Sequence, residues 1–317
     1  MRYLVTGGAG FIGSHLVERL LENGYDILCL DNFNDYYDPR TKEKNIKKSL
    51  GHKNFQLIRA DILDEKLLKK LFEQNQFDGI IHLAARAGVR SSLLQPKFYH
   101  EVNIRGTLNL LELAKEHNIK KFIMASSSSV YGNNKKVPFS ETDAVDKPIS
   151  PYAATKKACE LIAYTYASLY KISITCLRFF TVFGPRQRPD MAIYKFTNLI
   201  VGGQEISVFG NGKMKRDFTY FSDIIDGIVR SIERCNGYNI YNLGESNVIE
   251  LMDLVGLIEK YLGKKAKIKW LPAQPGDVKI TYADITKAKR ELDYDPQVNV
   301  EDGIKKFVEW FKKNKKY

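Results

Sequence analysis

Tyr152 and Lys156 stand four residues apart in Pro151-Tyr152-Ala153-Ala154-Thr155-Lys156, within a run whose apolar spacing reads as helix. Residues at i and i+4 share one helix face. An ammonium beside a phenol stabilises the phenolate and lowers the tyrosine pKa. Moving it from ~10 toward ~7 takes about 4 kcal/mol of differential stabilisation. A phenol so tuned can act as general base on a hydroxyl. Upstream, the apolar strand KFIMAS runs into Ser127, Ser128, Ser129, Val130, Tyr131 and Gly132. In an open α/β sheet, ligands bind beyond the carboxyl ends of strands, so these hydroxyls would meet whatever binds there. A Tyr-x-x-x-Lys spacing is common by chance, and a serine-rich loop is ordinarily just solvated. Their meaning depends on what precedes them.

What precedes them is MRYLVTGGAGFIGS. Tyr3, Leu4 and Val5 form a short apolar strand. Gly7, Gly10 and Gly13 follow, and an amphipathic run opens at Phe11 and Ile12 and continues through Leu16, Leu20 and Leu21. Gly7 permits the tight turn, Gly10 lets backbone N–H groups approach a pyrophosphate, and Gly13 allows close helix packing. The helix N-terminus then faces the anion with its positive end. The next strand, Tyr25 to Leu30, ends at Asp31, eighteen positions after Gly13. A carboxylate there accepts from the adenosine ribose hydroxyls and repels a 2′-phosphate, which predicts NAD over NADP as the cofactor. Asp61 and Ile62 follow a third strand and suit the adenine edge, although Asp61 or Asp64 could instead cap the helix containing Leu67 and Leu68.

With 317 residues and 44% hydrophobic content, the chain can bury a large core plus a smaller lobe. No run reaches the ~18 apolar residues of a membrane span. The first residues read as a core strand and not as a cleavable signal, so a cytoplasmic protein is expected. The four cysteines (29, 159, 176, 235) form no Cys-x-x-Cys pair and read as buried free thiols. The histidines show no ligand spacing, and no metal site is expected. The net charge of +12 comes largely from lysine doublets such as Lys47-Lys48 and Lys69-Lys70, without interleaved aromatics. That excludes a nucleic-acid platform and leaves a solvated surface able to attract a polyanionic small molecule.

Strands at 2–6, 26–30, 55–59, 79–83, 121–126 and 173–178 alternate with helices around 12–23, 64–74, 98–117 and 151–170. The alternation implies an α/β fold: a doubly wound parallel sheet of Rossmann type, with a smaller C-terminal α/β substrate lobe. The lobe is expected from about residue 181 to 317, after a Rossmann unit over 1–180. Residues 221–243 could return to the large sheet.

These motifs together resemble the extended short-chain dehydrogenase/reductase family, the nucleotide-sugar epimerases and dehydratases. The likeness runs through TGGAGFIGSH, HLAA at 82–85, Asn103 in VNIRGT, SSSSVYG, YAATK, RFFTVFGP and RDFTYFSDI. It implies that Ser127 is the catalytic hydroxyl, Tyr152 the base and Lys156 its activator. It also implies a cofactor site of Gly7, Gly10, Phe11, Ile12, Gly13, Asp31, Asn32, Asp61, Ile62, Leu83, Ala84 and Ala85, together with Tyr152 and Lys156.

The same resemblance bears on the reaction. Dehydratases and decarboxylating members carry an acid just before Val-Tyr-Gly, where this chain has Ser128 and Ser129. That favours epimerisation: oxidation at C4, rotation of the ketone, and reduction from the other face. DNFNDYYDPR and FGPRQRPDMAIYKF look like the UDP-glucuronate 4-epimerase group. Thr181 stands where UDP-galactose 4-epimerases usually carry Asn. The implied substrate-binding set is Ser128, Ser129, Thr181, Arg186, Arg188, Met191, Arg216 and Asp277. Arg186 and Arg188 offer a bidentate match to a C6 carboxylate or to phosphate. Arg86, where relatives often carry an uncharged residue, and QPGDVK, which lacks an Arg sometimes used on the diphosphate, depart from the pattern. The expectation is NAD-dependent 4-epimerisation of UDP-glucuronate in a homodimer paired through the helices around 98–117 and 151–170. The alternatives are a UDP-glucose/galactose 4-epimerase, a decarboxylase or dehydratase, and a non-catalytic NAD sensor.

Overall fold

The computed structural model describes residues 1–272 and 278–314. Seven strands form one parallel sheet: β1 (Arg2–Thr6), β2 (Asp26–Asp31), β3 (Phe55–Arg59), β4 (Gly79–His82), β5 (Lys121–Ser127), β6 (Ser173–Phe179) and β11 (Tyr238–Leu243). Their order is β11-β6-β5-β4-β1-β2-β3. Strands buried on both faces read as continuous apolar runs, as ILCL in β2 and YLV in β1 do. One core cluster (Val5, Leu16, Val17, Leu20, Ile224, Ile228) covers one face, and a second (Leu4, Leu28, Leu68, Leu110, Phe122, Ile174) covers the other. The strand order reverses between β1 and β4, and a crevice opens above their carboxyl ends.

The helices of the first half are α1 (Phe11–Glu22), α2 (Pro39–Ile46), α3 (Glu65–Gln74), α4 (Val89–Leu94), α5 (Pro96–His100), α6 (Gly106–Glu116) and α7 (Pro151–Tyr170). Asp64 caps α3 by accepting from Leu67 N at 3.0 Å, which leaves Asp61 for another partner. The single helix expected over 98–117 is instead two helices joined by a π-helical turn, Glu101–Arg105. Buried Asn103 lies in that turn. Its Oδ1 accepts from Arg86 N, and its Nδ2 donates to Arg86 O and Thr155 Oγ1.

After β6 the chain forms the smaller lobe. β7 (Thr181–Phe183) pairs with β10 (Phe218–Tyr220), β8 (Glu205–Phe209) with β13 (Lys267–Leu271), and β9 (Lys215–Arg216) with β12 (Ile249–Glu250). Helices α8 (Ala192–Val201), α10 (Leu251–Leu262) and α12 (Val300–Asn314) enclose a separate core of Ile193, Phe196, Ile206, Leu254, Ile258, Ile304 and Phe307. Helix α9 (Phe221–Glu233) and β11 lie with the large sheet, β11 in register with β6 from Tyr238↔Ile174 to Leu243↔Phe179. A further segment joins them: Ala283, Ile285 and, on α11 (Thr286–Leu292), Ala288 and Leu292 pack into the core of the large sheet. All four cysteines are buried and free. No helix among the described residues is long and apolar enough to cross a membrane.

Candidate active site

The three glycines of the first turn are packed against backbone. Gly7 has φ +71°, and a Cβ there would lie 2.7 Å from Ala84 N and 2.9 Å from Ala84 Cα. A Cβ on Gly13 would overlap Gly7 O and Gly8 Cα. The turn after β1 is therefore pressed against the turn after β4 on one side and against α1 on the other. Gly10 caps α1 with no side chain of its own, so the first amides of the helix point into the crevice. Asp31 closes β2 and is buried. Its Oδ2 accepts from Ala9 N at 3.1 Å and its Oδ1 from Phe33 N at 2.9 Å. Asn32 donates through Nδ2 to Asp61 Oδ2 at 2.7 Å, which ties the ends of β2 and β3 together.

A cleft of about 830 Å³ runs from these residues to the lobe. It is lined by all of the expected cofactor residues: Gly7, Gly10, Phe11, Ile12, Gly13, Asp31, Asn32, Asp61, Ile62, Leu83, Ala84, Ala85, Tyr152 and Lys156. Its geometry suits a dinucleotide. The glycine cradle has no room for side chains, the first amides of α1 open onto the cleft, and the Asp31 carboxylate lines it at the end of β2. Beneath it, His82 bridges Thr6 Oγ1 (Nδ1, 2.8 Å) and Thr107 Oγ1 (Nε2, 3.0 Å). Burial, and then the charge of Lys156, push its pKa down to about 3, so it is a neutral strut.

Farther along the cleft, Ser150 caps α7 by accepting from Ala153 N at 3.2 Å, and Pro151 occupies the first helical position. This cap sets the rotation of Tyr152 and Lys156. The Lys156 ammonium donates to Ala125 O, on β5, at 2.8 Å. The Tyr152 ring lies edge-on to Tyr99, with centroids 6.2 Å apart. Ser127 Oγ accepts from Ser129 N at 3.1 Å, opening a 3-10 turn over Ser128–Tyr131. Ser127, Ser128, Ser129, Thr181, Arg188, Met191 and Arg216 line the same cleft. Arg188 holds Asp190 through Nε (3.0 Å) and Nη2 (2.8 Å) and lies 5.4 Å from the Tyr36 ring centroid.

Two expected residues stand apart. Arg186 does not line the cleft. Its φ is +63°, and its guanidinium reaches α1 instead, donating to Glu18 Oε1 at 2.7 Å and Ser14 Oγ at 3.2 Å. That ion pair makes Arg186 a brace between the loop and the first helix, in place of the anion ligand expected. Beside it, His15 shares a 2.9 Å hydrogen bond with Pro185 O. Asp277 lies outside the described residues.

Residues not expected from sequence also meet here. Lys42 is buried, with Nζ 3.6 Å from Asp31 Oδ1. Arg86 donates to Asn34 Oδ1 at 2.6 Å and lies 4.6 Å from the ring centroids of both Tyr36 and Phe98. Arg90 covers Phe209 at 4.4 Å across the cleft. Arg86 was visible only as a departure from a familiar pattern. Nothing in the type or spacing of Lys42 separates it from its lysine neighbours.

Residues 4–307 match the family described as GDP-mannose 4,6 dehydratase. The chain belongs to that family. It is of the extended short-chain dehydrogenase/reductase type. A UDP-glucuronate 4-epimerase of Thermodesulfobacterium geofontis is 46% identical over 313 residues, covering 98% of this chain and 96% of that one. A crystal structure of a Bacillus cereus UDP-glucuronic acid 4-epimerase, in complex with UDP-glucuronic acid and NAD, superposes with a TM-score of 0.91 at 38% identity over 99% of each chain. A UDP-glucose 4-epimerase of Thermotoga maritima, with UDP-glucose, gives the same TM-score at 34% identity, again over 99% of each chain.

Proposed function

We propose that the protein is an NAD-dependent UDP-glucuronate 4-epimerase. The observation that carries the reading is one cleft holding Ser127, Tyr152 and Arg188 together, with serines instead of an acid before Val130-Tyr131-Gly132. The Gly7–Gly13 turn and Asp31 would hold NAD, which would supply the hydride acceptor for the sugar C4 and the donor that reverses the step. Everything else falls to the chain. Tyr152 takes the 4-OH proton and later gives it back, with Lys156 one turn along the same helix. Ser127 orients that hydroxyl. The 4-keto sugar turns over between the sheet and the lobe and is reduced on its other face. A 4-keto glucuronate is a β-keto acid prone to lose carbon dioxide. Thr181, Arg188 and the serines Ser128 and Ser129 fix its carboxylate and limit that loss by orientation. Arg216 and Met191 take the diphosphate and nucleotide side of the cleft, in a lobe that begins near residue 181.

The reading extends to assembly and location. The outer face of α7 exposes Leu161 (57%), Tyr164 (57%) and Leu169 (68%), and Leu94 on α4 is 84% exposed. Apolar surface of that kind supports a homodimer paired through α6 and α7. Tyr166, on the same helix, is instead buried in the core. Four unpaired buried thiols suit a reducing cytoplasm.

The test is to incubate the protein with UDP-glucuronate and, separately, UDP-glucose, and to follow products by NMR. UDP-galacturonate formed without a pentose product supports the reading. Faster turnover of UDP-glucose, or release of carbon dioxide as the main course, overturns it.

A further inference from the structure

Behind the cleft lies a buried polar network that the proposed reaction does not use. Glu160 and Arg178 are 0% and 1% exposed. Arg178 donates to both Glu160 oxygens, Nε to Oε1 and Nη2 to Oε2, each at 2.8 Å. Glu160 Oε1 also accepts from Ser126 Oγ at 2.6 Å, and Lys157 Nζ lies 3.4 Å from Oε2. The remaining Arg178 nitrogen, Nη1, donates to Tyr131 OH at 2.9 Å. That hydroxyl donates in turn to Asn242 Oδ1 at 2.7 Å.

Buried ion pairs are weak evidence for stability, because desolvation offsets most of the attraction. Placement is a better account of this one. Glu160 is one turn beyond Lys156 on α7, and Ser126 immediately precedes Ser127 at the end of β5. Lys156 already reaches Ala125 O on the same strand. Helix and strand end are thus tied twice, at adjacent residues on β5 and one turn apart on α7. Tyr131 anchors the far end of the turn that begins at Ser127. Arg178 lies on β6, which is paired with β5, so a shift of α7 along the sheet would break the fork and change the distance from Tyr152 and Lys156, which ride together on α7, to Ser127.

We infer that Glu160 and Arg178 are positioning residues that set the height of α7 against β5, and so the distance of Tyr152 and Lys156 from Ser127. The inference rests on Tyr152 being the base. Glu160→Asp keeps the charge and shortens the reach by one methylene, and Ser126→Ala removes one tie while leaving the ion pair whole. Holoenzyme of each is assayed with UDP-glucuronate across pH, beside Tyr152→Phe. The expected result is a kcat loss of about tenfold for Glu160→Asp and about threefold for Ser126→Ala, with KM little changed and the acidic limb of kcat moved to higher pH. Loss of a stabilising role alone would leave that limb in place. If Ser126→Ala folds and its kcat and pH profile match the parent while Tyr152→Phe is inactive, the positioning role is overturned and the base survives. If Tyr152→Phe still turns over, the base assignment falls and the inference with it.

Discussion

Arg188 closes a fork on Asp190, its neighbour two residues along the same loop, while Arg186, two residues the other way, turns its guanidinium to Glu18 on α1. Of the two, Arg188 is the one that lines the cleft, and Asp190 already holds it in a fixed plane through Nε and Nη2. An arginine held this way presents its remaining N–H groups without further loss of side-chain freedom. Arg188→Ala should therefore cost UDP-glucuronate about 2–4 kcal/mol in kcat/KM, the range for leaving a desolvated charge unpaired. UDP-glucose should change little. Steady-state kinetics on both substrates check this, and equal losses would move Arg188 to the diphosphate.

Tyr152→Phe removes the only proton acceptor proposed for the 4-OH. Turnover should fall by at least ~10²-fold, since positioned proton transfer contributes that much. Bound NAD, measured by release from denatured protein, should stay stoichiometric.

Asp31 accepts two backbone amides and has Lys42 3.6 Å away. Removing the carboxylate deletes an acceptor for the ribose diol and leaves an ammonium beside it. Asp31→Ala should weaken NAD binding and improve NADP binding, while Asp31→Ala/Lys42→Ala should lose the second effect. Calorimetric titration of both cofactors would expose the idea as wrong if NADP affinity ignored Lys42.

Glu245 and Asp217 form an acid pair under the lobe. Burial, and then the charge of Asp217, push the Glu245 pKa up to about 8; burial pushes Asp217 up to about 6 against backbone amides that pull it down. Glu245 Oε2 is buried without a hydrogen-bond partner. Both folded values lie above the unfolded ones, so the folded state holds more protons. Stability from these groups is thus present at the acidic end and is lost as pH rises from about 4 through 8. Melting temperature should decline over that window, and Glu245→Gln should flatten the decline between pH 6 and 8. A parallel decline in the variant would rule the pair out as its source.

Leu161→Asp with Leu169→Asp places charge on the exposed face of α7. Sedimentation should show a dimer for the parent chain and a monomer for the variant at micromolar concentration. A monomeric parent would leave that face without its proposed partner.

The features that sequence disclosed best are those made by neighbours in the chain. The glycine turn, Asp31 at a strand end, and the i, i+4 pair on α7 each follow from local spacing. What remained hidden was made by the third dimension. Arg186 and Arg188 share type and loop, and only the positive φ at 186 sends one toward α1. The π-helical turn at Asn103 leaves no trace in periodicity, because one extra residue shifts the apolar face only slightly. Asp61 and Asp64 could each cap α3 on paper, and the structure gives that work to Asp64 because Asn32 holds Asp61. Ala283 to Leu292 reads as part of the lobe because nothing in its composition marks a return to the large sheet.

That return, together with the β6–β11 pairing, bears on how new specificities could be grafted onto this scaffold. A truncation near residue 180 would strip β6 of its outer neighbour and uncover the apolar surface beneath α9 and α11. The cofactor half is therefore no self-sufficient cassette, and a chimera built with a single crossover would inherit an open sheet edge prone to aggregation. The exchangeable pieces are instead three segments, roughly 181–220, 249–272 and 300–314, hung from a continuous sheet, and a transplant of substrate preference would need to move all three at once.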